Sequence, residues 1–188
     1  MARLPNLKFE DLTPEQKKLW EEIGAVRSGS PGGPFAVWMR YPKIAERAHY
    51  FGNAVRLEGK LGRRLLELVV LVVARHWNAQ YVFSAHAVAG IEHGLAEDLV
   101  EAIRTHRTPV FAKDDEKLVY DTVTELLETK RLSDETYDRA LAALGLDRLI
   151  EVVTAVGFYM TASAMVNAFD VPPRRLPLHL PRRRPDAT

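Results

Sequence analysis

Glu67 and His86 are the two side chains whose settings point to acid–base chemistry. Glu67 stands inside the run Leu65-Leu66-Glu67-Leu68-Val69. A carboxyl group there is either protonated or met by a partner, because an unpaired charge in an apolar setting is too costly to keep. A backbone amide, Arg63 or Arg75 is the nearest partner by sequence. His86 follows on the next helical segment, where Ala79, Val82 and His86 share one face. That face sets a single imidazole beside small apolar side chains. It is either an ordinary buried histidine or a proton-exchanging group, since imidazoles titrate near neutrality.

Other chemistries are missing. The chain has no cysteine, so disulfides, thiolate metal sites, thiol nucleophiles and redox dithiols are excluded. No Walker-type phosphate loop, dinucleotide-binding glycine pattern or His-Glu-x-x-His pair occurs. The histidines are His49, His76, His86, His93, His106 and His179. His86 and His93 lie two helical turns apart, about 10 Å along the axis, too far for that pair alone to hold one metal ion. Glu92, His93 and Glu97 read as solvated charge at a helix end. No metal site is expected.

The composition frames these residues. A chain of 188 residues, 47% hydrophobic and 27% charged, is ordinary for one globular domain. The net charge of +1 hides an asymmetry: Pro172 to Thr188 carries five arginines and one aspartate, +4, which leaves the rest at −3. An acidic body is the wrong footprint for nucleic acid. Five prolines, Pro172, Pro173, Pro177, Pro181 and Pro185, make the tail an extended arm. It serves an acidic partner or phosphate, wraps a neighbouring subunit or aids solubility. The longest uninterrupted apolar run, Leu68 to Ala74, falls short of the ~20 residues a membrane span requires. The N-terminus lacks a signal-peptide core. The expectation is a cytoplasmic protein with neither membrane nor nucleic-acid partner.

Helices must position Glu67 and His86, because helix signals run nearly throughout. Thr13-Pro14-Glu15-Gln16 is a capping box with proline at the first helical position, and Leu19, Trp20, Ile23 and Val26 follow at helical spacing. The helix stops at the turn-rich stretch 28–34. A short apolar piece, Phe35 to Tyr41, precedes a helix opened by Pro42 and running to about Glu58. The segment Arg63 to Trp77 is rich in β-branched residues but too long for a typical strand. It reads as a central helix covered by others. Asn78 is placed to cap a helix over Ala79–His93 that ends at Gly94. Further helices are expected at Ala96–His106, Asp114–Lys130, Ser133–Ala143 and Leu146–Ala168, with Asp114 and Ser133 as N-caps and Gly145 as a stop. The fold class is all-α: a bundle of about seven or eight helices over residues 1–171, then the tail, 172–188.

The stretch from Glu67 through Trp77-Asn78-Ala79-Gln80-Tyr81-Val82-Phe83 to His86, followed by Gly94-Leu95, resembles the core motif of the carboxymuconolactone decarboxylase family, which includes the AhpD-like alkylhydroperoxidases. Leu12-Thr13-Pro14-Glu15-Gln16, Gly33-Pro34-Phe35, Tyr41-Pro42-x-x-Ala45 and Glu151…Gly157-Phe158-Tyr159…Asn167 extend the likeness over roughly residues 1 to 173. AhpD-like members carry a Glu, a Cys-x-x-Cys pair and a His; here Glu67 and His86 match the acid and the imidazole, while Ala79 and Val82 stand at the cysteine positions. Thiol-dependent peroxide reduction is therefore impossible. Cysteine-free relatives often show Tyr-Glu-Trp where this chain has Tyr81-Val82-Phe83, a further departure.

The resemblance implies a helical protomer that assembles as a homotrimer or homohexamer, and a lyase reaction on a small carboxylic acid or lactone without cofactor. His86 is then the general acid/base and Glu67 its orienting carboxylate. Tyr81 and Tyr159 are candidates to hydrogen-bond a substrate oxygen. Trp38, Trp77 and Phe83 are candidate apolar walls, or plain core packing. Arg40, Arg47, Arg56 and Arg75 are candidates for a substrate carboxylate, Arg75 foremost because it lies on the motif's helix, although an interhelical salt bridge would use it equally. The alternative is a non-catalytic small-molecule-binding or assembly protein that kept the scaffold. A shared, open pocket at Glu67 and His86 separates the two readings.

Overall fold

The computed structural model describes residues 3–27, 29–173 and 178–181; among them are nine α-helices and no strand. The first, α1 (Pro14–Val26), starts as its capping box requires: the Thr13 hydroxyl accepts from the Gln16 N–H at 3.3 Å, and the Gln16 side chain accepts from the Thr13 N–H at 3.0 Å. Leu19 and Ile23 turn inward. Then come the short α2 (Pro34–Trp38) and α3 (Pro42–Asn53), each opened by its proline. The helix expected to reach Glu58 keeps α pitch only to Asn53. Residues Ala54–Glu58 wind as a π turn instead, the wider coil that one extra residue imposes on a helical path.

The centre is α4 (Arg63–His76), in which every residue from Leu65 to Ala74 is buried. It packs against α5 (Gln80–Glu92), α7 (Asp114–Thr129) and α9 (Leu146–Ala168). Neighbours on several sides explain an apolar helix whose β-branched run could be mistaken for a strand: propensity yields to burial. The remaining helices, α6 (Glu97–Arg104) and α8 (Asp134–Leu144), cover the flanks. Ser133 caps α8 by accepting from the Thr136 N–H at 3.3 Å, and Gly145, at φ 76°, takes the left-handed step into α9.

Two caps differ from expectation. Asn78 does not cap α5; it adopts φ 50° in the tight link from α4, with Ala79 in the cap position and its side-chain oxygen accepting from Arg75 Nη1 at 3.1 Å. A link this short needs a left-handed residue, which asparagine tolerates. For α7 the cap position is Lys113, and Asp114 sits in the first turn with Asp115 and Glu116, where charge still complements the helix dipole.

No unbroken apolar run marks α9, yet it is long and apolar enough to cross a membrane, with half of that window buried inside the protein. Its inner stripe, from Leu149 through Val156 and Tyr159 to Val166, belongs to the core. Past α9 the described residues of the tail, 171–173 and 178–181, form neither helix nor strand. Leu180 is buried, and the Gln80 side-chain amide donates to its carbonyl at 2.6 Å and accepts from its N–H at 3.0 Å. Arg104 adds a bond to the His179 carbonyl at 2.8 Å. The five tail arginines lie outside the described residues.

Candidate functional site

Helix α4 carries Glu67 on the side facing α5. One turn earlier, Arg63 Nη2 donates to Glu67 Oε1 at 2.6 Å, the i,i+4 spacing that joins side chains on a helix face. From α5, His86 Nδ1–H donates to Glu67 Oε2, also at 2.6 Å. Both carboxylate oxygens of this fully buried group are thus engaged, one by a guanidinium and one by the imidazole. Burial alone would raise its pKa; His86, then Arg63 and Arg56, outweigh that and hold Glu67 below the ordinary carboxylate range. Glu67 is an anion at neutral pH. With Nδ1 engaged, Nε2 is the imidazole nitrogen left to meet a ligand.

Both side chains line a cavity of about 240 Å³, together with Tyr81, Tyr159, Arg27 and Arg56. Its opposite wall is the loop before α2. Gly33, at φ 59°, lies so close to the Tyr81 ring that any Cβ would collide with it; glycine alone lets the loop close there. Val82 lines the cavity, and Ala79, at the cap position of α5, is fully buried.

Tyr159, from α9, packs edge-on against His86 with ring centroids 5.1 Å apart. Its hydroxyl is buried with no hydrogen-bond partner among the described residues. Burial pushes its pKa up to about 12, so it remains a proton-bearing donor. Arg27 follows the end of α1; its guanidinium lies 4.3 Å above the Phe35 ring, and Nη2 donates to Asn53 Oδ1 at 3.4 Å. Burial, followed by the like charge of Arg56, brings its pKa down to about 10. Arg56 stands on the π turn.

Of the eight side chains expected from sequence, Glu67, His86, Tyr81 and Tyr159 meet at this cavity. The other four lie elsewhere. Trp38 is core, packed on Phe35 at 5.0 Å and Phe158 at 6.4 Å. Phe83 is fully buried in that core. Trp77 lines a separate groove with Asn78 and Gln80. Arg75 lines a different cavity, with His76, His106 and Arg107; eight residues on from Glu67, it is displaced by about 12 Å along α4. Two further cavity residues are Arg27, which nothing in the sequence singles out, and Arg56, there only one of four candidate arginines. No spacing rule selects either, because the chain's path after α1 and α3 brings them together. Among the described residues no group of three or more His, Asp or Glu is placed to hold a metal ion.

No family model and no curated protein matches the chain. Solved structures do. An uncharacterized peroxidase-related protein from Ralstonia eutropha JMP134, described as an alkylhydroperoxidase AhpD core, superposes with a TM-score of 0.77 at 13% identity over 93% of each chain. A peroxidase-related protein from Silicibacter sp. TM1040 gives 0.72 at 16% identity over 93% of this chain and 92% of that one. The debrominase Bmp8 in complex with 2,3,4-tribromopyrrole gives 0.71 at 12% identity over 93% and 95%. The chain therefore has the all-α AhpD-like fold that the sequence resemblance implied.

Proposed function

We propose that this AhpD-like fold without thiols is a cofactor-independent lyase that uses the His86–Glu67 pair on a small carboxylic acid or lactone. The observation that supports it is the shared, open cavity into which both side chains face; a purely structural pair would be sealed in core. At about 240 Å³ the cavity lies below the usual range of roughly 300–1,000 Å³ for ligand pockets, which suits a small substrate. In this reaction the bond to the departing carboxylate breaks, CO2 leaves, and the electron pair moves into a conjugated carbonyl as an enolate. Imidazolium Nε2–H of His86 then protonates the carbon, and water restores the proton. Glu67 fixes the ring through Nδ1 and stabilises its cationic form. Thiol-dependent peroxide reduction has no place, since the chain lacks cysteine.

The test is CO2 release and deuterium incorporation from D2O with a panel of unsaturated lactone acids, 4-carboxymuconolactone included. His86→Gln, folded as wild type by circular dichroism, is expected to lose about 10²–10⁴-fold in turnover. Unchanged turnover would overturn the reading. We further propose that the protomer self-associates, as a homotrimer or homohexamer. Leu146, Ile150 and Val153 form an exposed apolar stripe on α9, and Ile44 and Phe51 expose another on α3. Sedimentation equilibrium measures the assembly, and a monomer would refute this second proposal.

A further inference from the structure

The charges around the cavity do not balance. Its lining contains two guanidiniums, Arg27 and Arg56, and one carboxylate, Glu67. That carboxylate is already engaged by Arg63 and His86. Neither Arg27 nor Arg56 forms an ion pair among the described residues. The Nε atoms of both, and the Tyr159 hydroxyl, are buried without hydrogen-bond partners there. Unfilled donors at two like-charged guanidiniums are costly unless an anion completes them. Arginine's planar fork fits a carboxylate in particular.

We infer that Arg27, Arg56 and the Tyr159 hydroxyl form a clamp for a carboxylate of the ligand, at the part of the cavity walled by Phe35, with His86 facing the rest of the molecule. The positioning is built in: Phe35 lies beneath the Arg27 guanidinium, and Asn53 holds its Nη2. This deepens the proposed function for the same cavity and rests on it only for the identity of the reacting group. A carboxylate gripped by two arginines is stabilised most while it is charged. If it left as neutral CO2, the grip would weaken toward the transition state and slow the reaction. The clamped carboxylate is therefore the one that stays, and the reacting carbon belongs to a second group of the ligand, next to His86.

Titration calorimetry with benzoate and with benzamide, its neutral counterpart of the same shape, tests the clamp without any turnover. Wild type is expected to bind benzoate at least about tenfold more tightly than benzamide. Arg27→Met and Arg56→Met should each remove most of that preference and leave benzamide binding unchanged. Should either variant fold poorly, the lysine substitution keeps the charge but loses the fork, and a partial loss is expected. Loss of the benzoate preference in both arginine variants upholds the clamp even if no lyase turnover is found. Equal binding of benzoate and benzamide, or a benzoate preference that survives both arginine changes, overturns the clamp and leaves the His86 turnover test untouched.

Discussion

Two buried glutamates are held by consecutive arginines of α4, and their fates differ. Glu67 pairs with Arg63, and Glu116, at the start of α7, pairs with Arg64. Adjacent residues on a helix point about 100° apart, so the arginines serve different neighbourhoods. Around Glu116 the additional groups are Asp115, 2.5 Å from Arg64, and Lys113, 3.6 Å from Glu116. This cluster of fixed charges ties the first turn of α7 to α4. Around Glu67 the additional group is an imidazole, and beyond it lies open space. Burial and ion pairing are common to both regions, so neither marks a site. A titratable partner that reaches a cavity is what separates chemistry from structure.

The largest effect that would break this contrast is on turnover. His86→Gln should lower it by about 10²–10⁴-fold, whereas Glu116→Gln should leave kcat/KM within about twofold, both measured by CO2 release. If Glu116→Gln were the more damaging, the two regions would exchange roles. Stability should invert the order: Glu116→Ala breaks a buried pair and should cost about 3 kcal/mol in urea unfolding. Tyr159→Phe sharpens the picture on the cavity side. Its hydroxyl has no protein partner among the described residues, so removing it should change stability by less than about 0.5 kcal/mol. Turnover should nevertheless fall by about tenfold, as expected for losing one donor to a charged group.

The smallest effect is a pH dependence. The folded pKa of Glu67 lies below its ordinary value of 4.5. Its ionised form therefore adds stability that is fully present above the unfolded pKa and is lost as pH falls through the folded one. Urea unfolding of wild type and Glu67→Gln should therefore converge as the pH falls below the ordinary carboxylate value of 4.5. A difference that grew on acidification would mean the carboxyl is protonated in the native state.

What the sequence made legible is local or motif-bound. Thr13 with Pro14, Ser133 and Gly145 act within a turn of their own positions, and each behaves as its type predicts. The length of the apolar run showed α4 to be a buried helix, and the resemblance paired Glu67 with His86. The remaining site residues depend on where distant segments come to rest. Arg27 and Arg56 reach one cavity only because the loop before α2 and the π turn fold over it. Conversely, Trp38 and Phe83 have the residue types of a binding wall but are consumed by the core. Asn78 shows the limit of a local rule: the same residue type suits an N-cap and a left-handed link, and the shortness of the link decided between them.

The π turn at Ala54–Glu58 also makes the arginine clamp sensitive to insertions and deletions in a way that point substitutions are not. Removing one residue ahead of Arg56 returns that stretch to α pitch, and each side chain after the cut then rotates by about 100° about the local axis. Arg56 would leave the cavity while α3 and α4 kept their sequences and their caps. Chain length across residues 53–59, as well as the identity of Arg56, is therefore a coordinate along which anion binding on this scaffold is gained or lost.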